Sequence, residues 1–231
     1  MVSDWALAPK GSNSNRERYF IRQIDLPGKW ALFWQSGRNR PENRRQMTPN
    51  LVEGIDFSSQ PLPNDEYELC TFTRCTFTGA DLSKRAFYDC TFTDCTFAGA
   101  KLNRTALREV TFVGCDLTGL RFDHCDPFLL AVRFKRCTLT KASFEKLSLK
   151  ETYFGQSVMQ RVDFTQTDLT EAVFDECDLD GARFEYTVLE RADFRTARHY
   201  ALDPERNRLK KARFAWPGLV GLLVKYSIEV G

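Results

Sequence analysis

A large apolar residue returns at every fifth position through most of this 231-residue chain. From Phe72 the series runs unbroken to Phe122, and after an insertion of two residues it resumes at Leu129 and continues to Phe194. A period of five fits neither the 3.6-residue period of an α-helix nor the two-residue period of a β-strand. It fits a chain that turns a corner every five residues, so that four segments form the walls of one square coil.

A coil of about twenty residues predicts a second period, because equivalent walls of successive coils must coincide. One wall indeed carries phenylalanine in every coil, at Phe72, Phe92, Phe112, Phe134, Phe154, Phe174 and Phe194. The eight cysteines fall two positions before a central residue, although the slip blurs the register of Cys125, and four of them are expected to stack as Cys75, Cys95, Cys115 and Cys137. The sequence therefore predicts an all-β fold, a quadrilateral β-helix whose coils lie about 4.8 Å apart around columns of rings and thiols.

Free cysteine behaves as a small hydrophobe, and the other residues at these positions are mostly alanine and valine. We therefore expect buried free thiols, with neither a disulfide framework nor a metal site.

The chain divides into three parts. Residues 1–50 form a non-repeat extension, residues 51–214 the solenoid, and residues 215–231 a closing segment. The extension contains Trp30, Trp34 and a basic loop over 38–45, and it either caps the first coil or docks another protein. The closing segment predicts a short helix followed by a strand at 227–230, which caps the last coil, pairs with its own copy, or both. Candidate cap or dimer residues are Trp216, Leu219, Leu222, Leu223 and Tyr226.

The repeat slips by two residues within 123–131, where Leu129 is expected to point inward. Pro127 suits an exposed turn because it needs no hydrogen-bond acceptor for its nitrogen. An insertion in a regular solenoid is a place where function protrudes, although a tolerated defect is the competing interpretation. Candidate partner-binding residues here are Asp126, Pro127, Phe128 and Leu130.

Charge is distributed unevenly around a net value of +2. Residues 1–50 carry +5, residues 51–198 carry −6 and residues 199–231 carry +3. An acidic body argues against nucleic-acid binding by the solenoid, because phosphate contacts need a basic face. An acidic run is either solvated surface or a mimic of the DNA backbone presented to a DNA-binding partner, and its residues ring one coil. The candidates are Asp175, Glu176, Asp178, Asp180, Glu185 and Glu190.

Catalytic chemistry is not indicated. We find no nucleophile elbow, phosphate-binding loop or metal-spaced cluster, and His124 and His199 are expected to lie on the surface. We expect no cofactor, and flat solenoid walls supply no water-excluding pocket. The first thirty residues lack the pattern of a secretory signal, and no apolar run is long enough to span a membrane, so a cytoplasmic location is expected.

The repeat units Cys75-Thr-Phe-Thr-Gly79, Ala80-Asp-Leu-Ser-Lys84 and Ala192-Asp-Phe-Arg-Thr196 resemble the pentapeptide-repeat family. In that family the centre is Phe or Leu, preceded two residues earlier by Ala or Cys. The resemblance covers roughly residues 55–214 and implies a right-handed quadrilateral β-helix.

The ending, Leu202-Asp-Pro-Glu-Arg-Asn207 before an apolar helix, is similar to the quinolone-resistance (Qnr) and microcin-immunity (McbG) branch of the family. That likeness implies a homodimer formed through the C-terminal end, which protects DNA gyrase or topoisomerase IV from inhibitors such as quinolones or peptide toxins. The long projecting loops of Qnr proteins are replaced here by the short bump near Pro127. The alternative is a scaffold or adaptor whose N-terminal Trp/Arg segment docks another protein.

Overall fold

The computed structural model describes residues 50–228, and within them nearly all regular structure is parallel β. The N-terminal extension, with its cap and docking hypotheses, lies outside the described residues except for Asn50, which already belongs to the first strand. At the other end Ser227 and Ile228 are not in a strand, and the rest of the predicted terminal strand lies outside the described residues.

Within residues 50–228, ten short strands stack in two parallel sheets that form two walls of the coil. The strands are β1 Asn50–Glu53, β2 Glu66–Glu68, β3 Cys70–Thr73, β4 Ala86–Tyr88, β5 Thr91–Thr93, β6 Ala106–Arg108, β7 Val110–Val113, β8 Val132–Lys135, β9 Tyr153–Gly155 and β10 Val173–Asp175. The larger sheet has the order β1-β3-β5-β7-β8-β9-β10 and the smaller one the order β2-β4-β6. Isolated parallel bridges connect successive coils outside these strands.

The predicted ring column is confirmed. Phe72 lies opposite Phe92 and Phe92 opposite Phe112, which sets the coil at twenty residues, and the two-residue slip pairs Phe112 with Phe134. From Phe72 to Phe194 the stacked rings lie 4.6 to 5.5 Å apart between centroids. Rings of a second column meet them edge-on, so the interior combines stacked and edge-to-face aromatic contacts, both favourable geometries.

The predicted thiol column is confirmed as well, and all eight cysteines are buried and free. The Cys95 Sγ lies 3.5 Å from the carbonyl oxygen of Phe72 in the preceding coil, and Cys115 repeats the contact with Phe92 at 3.4 Å. Thr105 makes the same contact to Leu82 through its hydroxyl, at 2.8 Å. The inner position thus favours a small side chain, which donates to a carbonyl of the preceding coil where it carries a thiol or a hydroxyl. Burial raises the pKa of Cys177 to about 12, which disfavours a reactive thiolate.

At most corners of the coil the backbone is left-handed two residues after the central residue. Arg74 has φ 52° and Asp94 has φ 52°, for example, and glycine occupies the corner at Gly79. A left-handed residue other than glycine costs roughly 1–2 kcal/mol. A hydrogen bond to the next coil accompanies many of these turns, as where the Arg74 amide donates to the Thr93 carbonyl at 2.9 Å. The corner side chain is directed away from the core, so almost any polar residue is accepted there.

The C-terminal segment closes the last coil. Phe214 stacks on Phe194 at 5.5 Å, and the predicted helix is present as two 3-10 helices, Trp216–Leu222 and Val224–Tyr226. The Leu202 amide donates to the Gly221 carbonyl at 2.9 Å. A Cβ on Gly221 would lie 2.3 Å from the Tyr200 carbonyl oxygen, so this close approach needs glycine. Lys225 adds ion pairs to Asp203 and Glu205 at 2.8 and 2.6 Å.

Replacing a central ring is expected to be far more damaging than replacing an outer threonine. Phe154 is fully buried between two stacked neighbours, so Phe154→Ala should lower the free energy of unfolding by about 3–5 kcal/mol through the cavity it leaves. Thr93→Ala, at a half-buried outer position, should cost about 0.5 kcal/mol or less. Chemical denaturation of both variants gives the comparison, and equal losses would contradict the inward assignment.

Gly221→Ala is expected to loosen the closing segment without unfolding the solenoid, because the added Cβ would collide with the backbone of Tyr200. Hydrogen exchange at the Leu202 amide should accelerate at least about tenfold, since local opening then requires less free energy. Gly79→Ala is the control, because Gly79 is left-handed with nothing within 4 Å of an added Cβ. Unchanged exchange at Leu202 in Gly221→Ala would contradict the closure described above.

Candidate protein-interaction surfaces

The slip forms a small bump on one edge of the solenoid. A 3-10 turn at Phe122–His124 leads into buried Cys125, after which Pro127 is exposed and Phe128 and Leu129 are 64% and 63% exposed. The prediction that Leu129 points inward is wrong: Leu130 is the residue that packs against the core. The reason is the backbone, because Leu129 occupies the left-handed corner with φ 55° and the two extra residues follow that corner.

Contacts from the neighbouring coil hold the bump in place. The Phe128 amide donates to Asp126 Oδ1 at 3.0 Å, which fixes the turn around Pro127. The Arg108 guanidinium lies 5.3 Å from the Phe128 ring and 5.2 Å from the Tyr88 ring, with the Asp126 carboxylate at 3.9 Å. Arg108 therefore joins two aromatic rings and a carboxylate in one stack, an arrangement favoured by its flat cation.

A shallow depression of about 370 Å³ lies beside the bump. It is lined by Asp123, Cys125, Pro127, Glu145, Lys146 and Leu147. Arg121 pairs with the Asp123 carboxylate at 2.5 Å, and although partial burial opposes the effect, this contact keeps the pKa of Asp123 below its usual range. The depression is open and mostly polar, so it suits a protein contact better than a small-molecule site.

The acidic candidates are spread around one coil. Asp175 belongs to β10, and Asp180, Glu185 and Glu190 lie five, ten and fifteen residues further on, one on each successive wall. The structure therefore does not bring the six candidate acids together on one face.

Most of these acids contact polar or cationic partners. Arg206 lies 3.0 Å from Glu185 and Arg208 lies 2.8 Å from Glu190, both from the next coil. Gln156 donates to Glu176 at 3.0 Å. Asp178 has Gln160 at 2.7 Å and His199 at 2.8 Å, which hold the pKa of its carboxyl below the usual range although burial opposes them. Burial and the Asp175 carboxylate raise the pKa of Tyr153 to about 12.

A different acidic alignment runs along the solenoid axis at the corner of the bump. Asp89, Glu109, Glu151 and Glu171 occupy equivalent left-handed corners, and Ala131 holds the same register in the coil between Glu109 and Glu151. We call this set the acidic corner column. Glu109 has Arg133 at 3.9 Å, and Glu171 pairs with Arg191. Sequence reasoning missed it, although the spacing of twenty residues, corrected for the slip, marks it.

The closing segment exposes apolar side chains at the end of the rod. Trp216 is 85% exposed, and Val220, Val224 and Tyr226 are also exposed. Of the predicted cap or dimer residues, Leu222 packs against the core, and Leu219 and Leu223 are half-buried. Leu222 therefore serves the cap, while Trp216 and Tyr226 remain available for a contact.

Within residues 50–228 no group of three or more His, Cys, Asp or Glu side chains is arranged to hold a metal ion. His124 and His199 both lie on the surface, where His199 contacts Asp178. In the same part of the chain no helix has the length and hydropathy needed to cross a membrane.

Two solved structures of QnrB1, described as a plasmid-mediated fluoroquinolone resistance protein, resemble this solenoid. A trypsin-treated arginine-to-glutamate variant matches with a TM-score of 0.55 and 16% sequence identity, over 78% of this chain and 97% of that chain. A trypsin-treated methionine-to-arginine variant gives 0.54 and 15%, over 78% and 98%. At these identities the likeness shows the fold alone. No curated protein sequence matches this chain significantly.

A family model described as "Pentapeptide repeat region" matches residues 66–127, 86–157 and 128–202. These matches together span more than half of the chain and coincide with the stacked coils. The five-residue period, the ring columns and the family match agree, and the chain belongs to the pentapeptide repeat family.

Proposed function

We propose that this protein is a non-catalytic binding module that protects a type II DNA topoisomerase, DNA gyrase or topoisomerase IV, from inhibitors such as quinolones or peptide toxins. The observation that carries the proposal is the match to QnrB1 along nearly the whole of that chain, since QnrB1 is described as a fluoroquinolone resistance protein. The acidic solenoid body, at −6 over residues 51–198, suits a partner whose own ligand is a polyanion.

The packed interior supports a protein-binding role for the outer surface of the solenoid. Rings and thiols fill the interior, and two open depressions lie on the outside. Recognition must therefore use the walls, the corners and the ends of the rod, which is the character of a protein-binding solenoid.

The exposed C-terminal apolar side chains support a homodimer in this proposal. Trp216 and Tyr226 are of the residue type that anchors interfaces, and a two-fold contact would cover both copies of the patch at once. A dimer would place two solenoids end to end and present every corner surface twice.

Adding the purified protein to a gyrase supercoiling reaction that contains a fluoroquinolone is expected to restore supercoiling. Differential binding of this kind typically shifts affinity by about 5–150-fold, so the drug concentration for half inhibition should rise by at least about fivefold. A parallel reaction with topoisomerase IV decatenation, and another with a peptide toxin, identifies the enzyme and the inhibitor class. No protection and no binding at micromolar protein would contradict the proposal.

Deleting residues 1–50 separates this function from the adaptor alternative. Topoisomerase protection by the solenoid should survive the deletion, because the surfaces described above lie within residues 50–228. Loss of topoisomerase binding on deletion, with the solenoid still folded by circular dichroism, would favour an N-terminal docking role instead.

Placing a charge in the exposed C-terminal patch is expected to dissociate the dimer. Trp216→Asp combined with Val224→Asp should shift the mass measured by light scattering from dimer to monomer, because a buried unpaired carboxylate is strongly disfavoured. Tyr186→Asp, at another exposed aromatic residue on a solenoid corner, is the control and should leave the mass unchanged. A wild-type protein that is monomeric at micromolar concentration would contradict the dimer.

A further inference from the structure

The first coil carries most of the negative charge of the solenoid. Residues 50–69 contain five carboxylates and no lysine, arginine or histidine, which gives −5, whereas residues 70–198 contain eighteen Lys/Arg against nineteen Asp/Glu, or −1. The five carboxylates are exposed and belong to Glu53, Asp56, Asp65, Glu66 and Glu68. Glu53 pairs with Arg74 and Asp65 with Arg85 of the second coil, which leaves three acids without an ion pair inside residues 50–228. Unneutralised carboxylates therefore surround the N-terminal end of the rod.

Strand β1 forms the edge of the larger sheet at this end. Within residues 50–228 its strand neighbour is β3, on one side. The amide just before a central residue donates to the preceding coil, as where the Thr111 amide donates to the Cys90 carbonyl at 3.0 Å. Leu51 is the register equivalent of Thr71, Thr91 and Thr111, so its amide points away from β3. An edge of this kind is a template for one more parallel strand.

The same end presents core positions of the first coil to whatever lies before it. Val52 lies opposite Phe72 in the phenylalanine column but is only half-buried, as is Ile55. Tyr67 is stacked on Phe87 at 5.3 Å, and among the described residues it has a stacked ring on that side only. A solenoid end that exposes its core in this way requires a cap.

The chain before β1, which lies outside the described residues, contains a unit suited to this position. Ala31-Leu32-Phe33 has the spacing of the wall units, a small residue two positions before a central phenylalanine, as in Ala192-Asp-Phe194. Ala31 lies nineteen residues before Asn50, close to the twenty residues of one coil. The fifteen residues between Trp34 and Asn50 are long enough for a parallel crossover connection. In this register Ala31 takes the small inner position and Phe33 lies on Val52.

Charge and connectivity select this chain's own extension as the occupant. Residues 1–49 carry nine Lys/Arg against four Asp/Glu, or +5, and four of these cations lie in the connection, at Arg38, Arg40, Arg44 and Arg45. One coil spacing of about 4.8 Å would place them within a Debye length, about 8 Å, of the acidic first coil. A second copy would instead bring its own −5 to the same end. Attachment at Asn50 also gives the extension an effective concentration on the order of millimolar, which a free partner lacks.

We propose that residues 31–34 form an additional parallel strand on β1 and that the basic residues 35–49 cover the acidic first coil, as an intramolecular cap. Phe33 then extends the phenylalanine column beyond Val52, and the Leu51 amide gains an acceptor. This cap is independent of the topoisomerase proposal, because it concerns the end of the rod opposite the C-terminal dimer contact. It also engages Trp34 and the loop arginines within the chain, which removes them from the adaptor role.

Hydrogen exchange at the Leu51 amide of the full chain tests the cap. In the wild-type protein this amide should exchange at least about 100-fold more slowly than an unstructured amide, because exchange then requires detachment of the added strand. Phe33→Ser should accelerate the exchange at least about tenfold, since the docked unit loses its central ring. Phe20→Ser, the same change elsewhere in the extension, should leave it unchanged, and the Thr111 amide should be unaffected in both variants. An unprotected Leu51 amide in the wild-type protein, or equal effects of the two variants, would overturn the cap.

Dilution shows to which chain the added strand belongs. Protection at Leu51 should stay constant over a dilution of about 100-fold, because an intramolecular contact does not depend on protein concentration. Protection that is lost on dilution would assign the strand to a second copy and overturn the intramolecular cap. Protection that arises only when another protein is added would place a partner's strand on β1 and overturn it as well.

The acidic end has its own measurement. Glu66→Lys/Glu68→Lys should accelerate exchange at Leu51 about fivefold, because attraction of the basic connection is replaced by repulsion, and added salt should act in the same direction on the wild-type protein. Glu151→Lys/Asp180→Lys makes the same change of charge at exposed positions of later coils and should have no effect. Equal exchange rates in the two double variants would overturn the contribution of charge to the cap.

Discussion

The stacking of one coil on the next is the constraint on which the rest of this molecule depends. Rings in the phenylalanine column repeat at 4.6 to 5.5 Å, which is close to the spacing of about 4.8 Å between hydrogen-bonded strands. Because side chains and backbone repeat at the same distance, both are satisfied by one twenty-residue coil, and neither distorts the other. The interior is then filled by rings and aliphatic side chains, and thiols and hydroxyls at the inner positions donate to the preceding coil. Because this interior is packed, the surfaces that residues 50–228 offer to a partner are the walls, the corners and the ends of the solenoid.

The same constraint explains how far the sequence alone could be interpreted. The inward rings and thiols could be assigned from the five-residue period, because each inward position recurs many times and stays recognisable even where one repeat departs from the pattern. At the slip the pattern offers two adjacent leucines, Leu129 and Leu130, and hydrophobicity cannot choose between them. The backbone makes the choice, since the corner after Pro127 must be left-handed and turns Leu129 outward. The contact between Arg108 and Phe128 was not predictable either, because it joins two coils at the place where the register changes.

The net charge of the solenoid likewise says little about the surface that a partner meets. The value of −6 over residues 51–198 is a sum over four walls, but a partner meets only one wall or corner. With a Debye length of about 8 Å, opposite walls are largely screened from one another, whereas neighbours in one column at about 4.8 Å are not. The acids of residues 175–190 are consecutive in sequence and therefore separated in space, and arginines of the next coil neutralise two of them. In the acidic corner column, by contrast, Asp89 and Glu109 are twenty residues apart in sequence but lie in neighbouring coils, and so do Glu151 and Glu171. In a solenoid, a charged surface has to be sought at the coil period.

The bump illustrates how little sequence a rigid frame needs in order to present an interaction site. A long loop would lose conformational entropy on binding, in proportion to the residues it orders. Here two extra residues suffice, because the frame supplies the rest: Leu130 packs against the core, Asp126 fixes the turn, and Arg108 stacks on Phe128 from the preceding coil. Leu129 projects outward because its backbone is left-handed, as at the corners of the coil, so the conformation that turns the chain also exposes this side chain. A substitution that changed this left-handed backbone would therefore alter both the stacking of the coils and the surface that they expose.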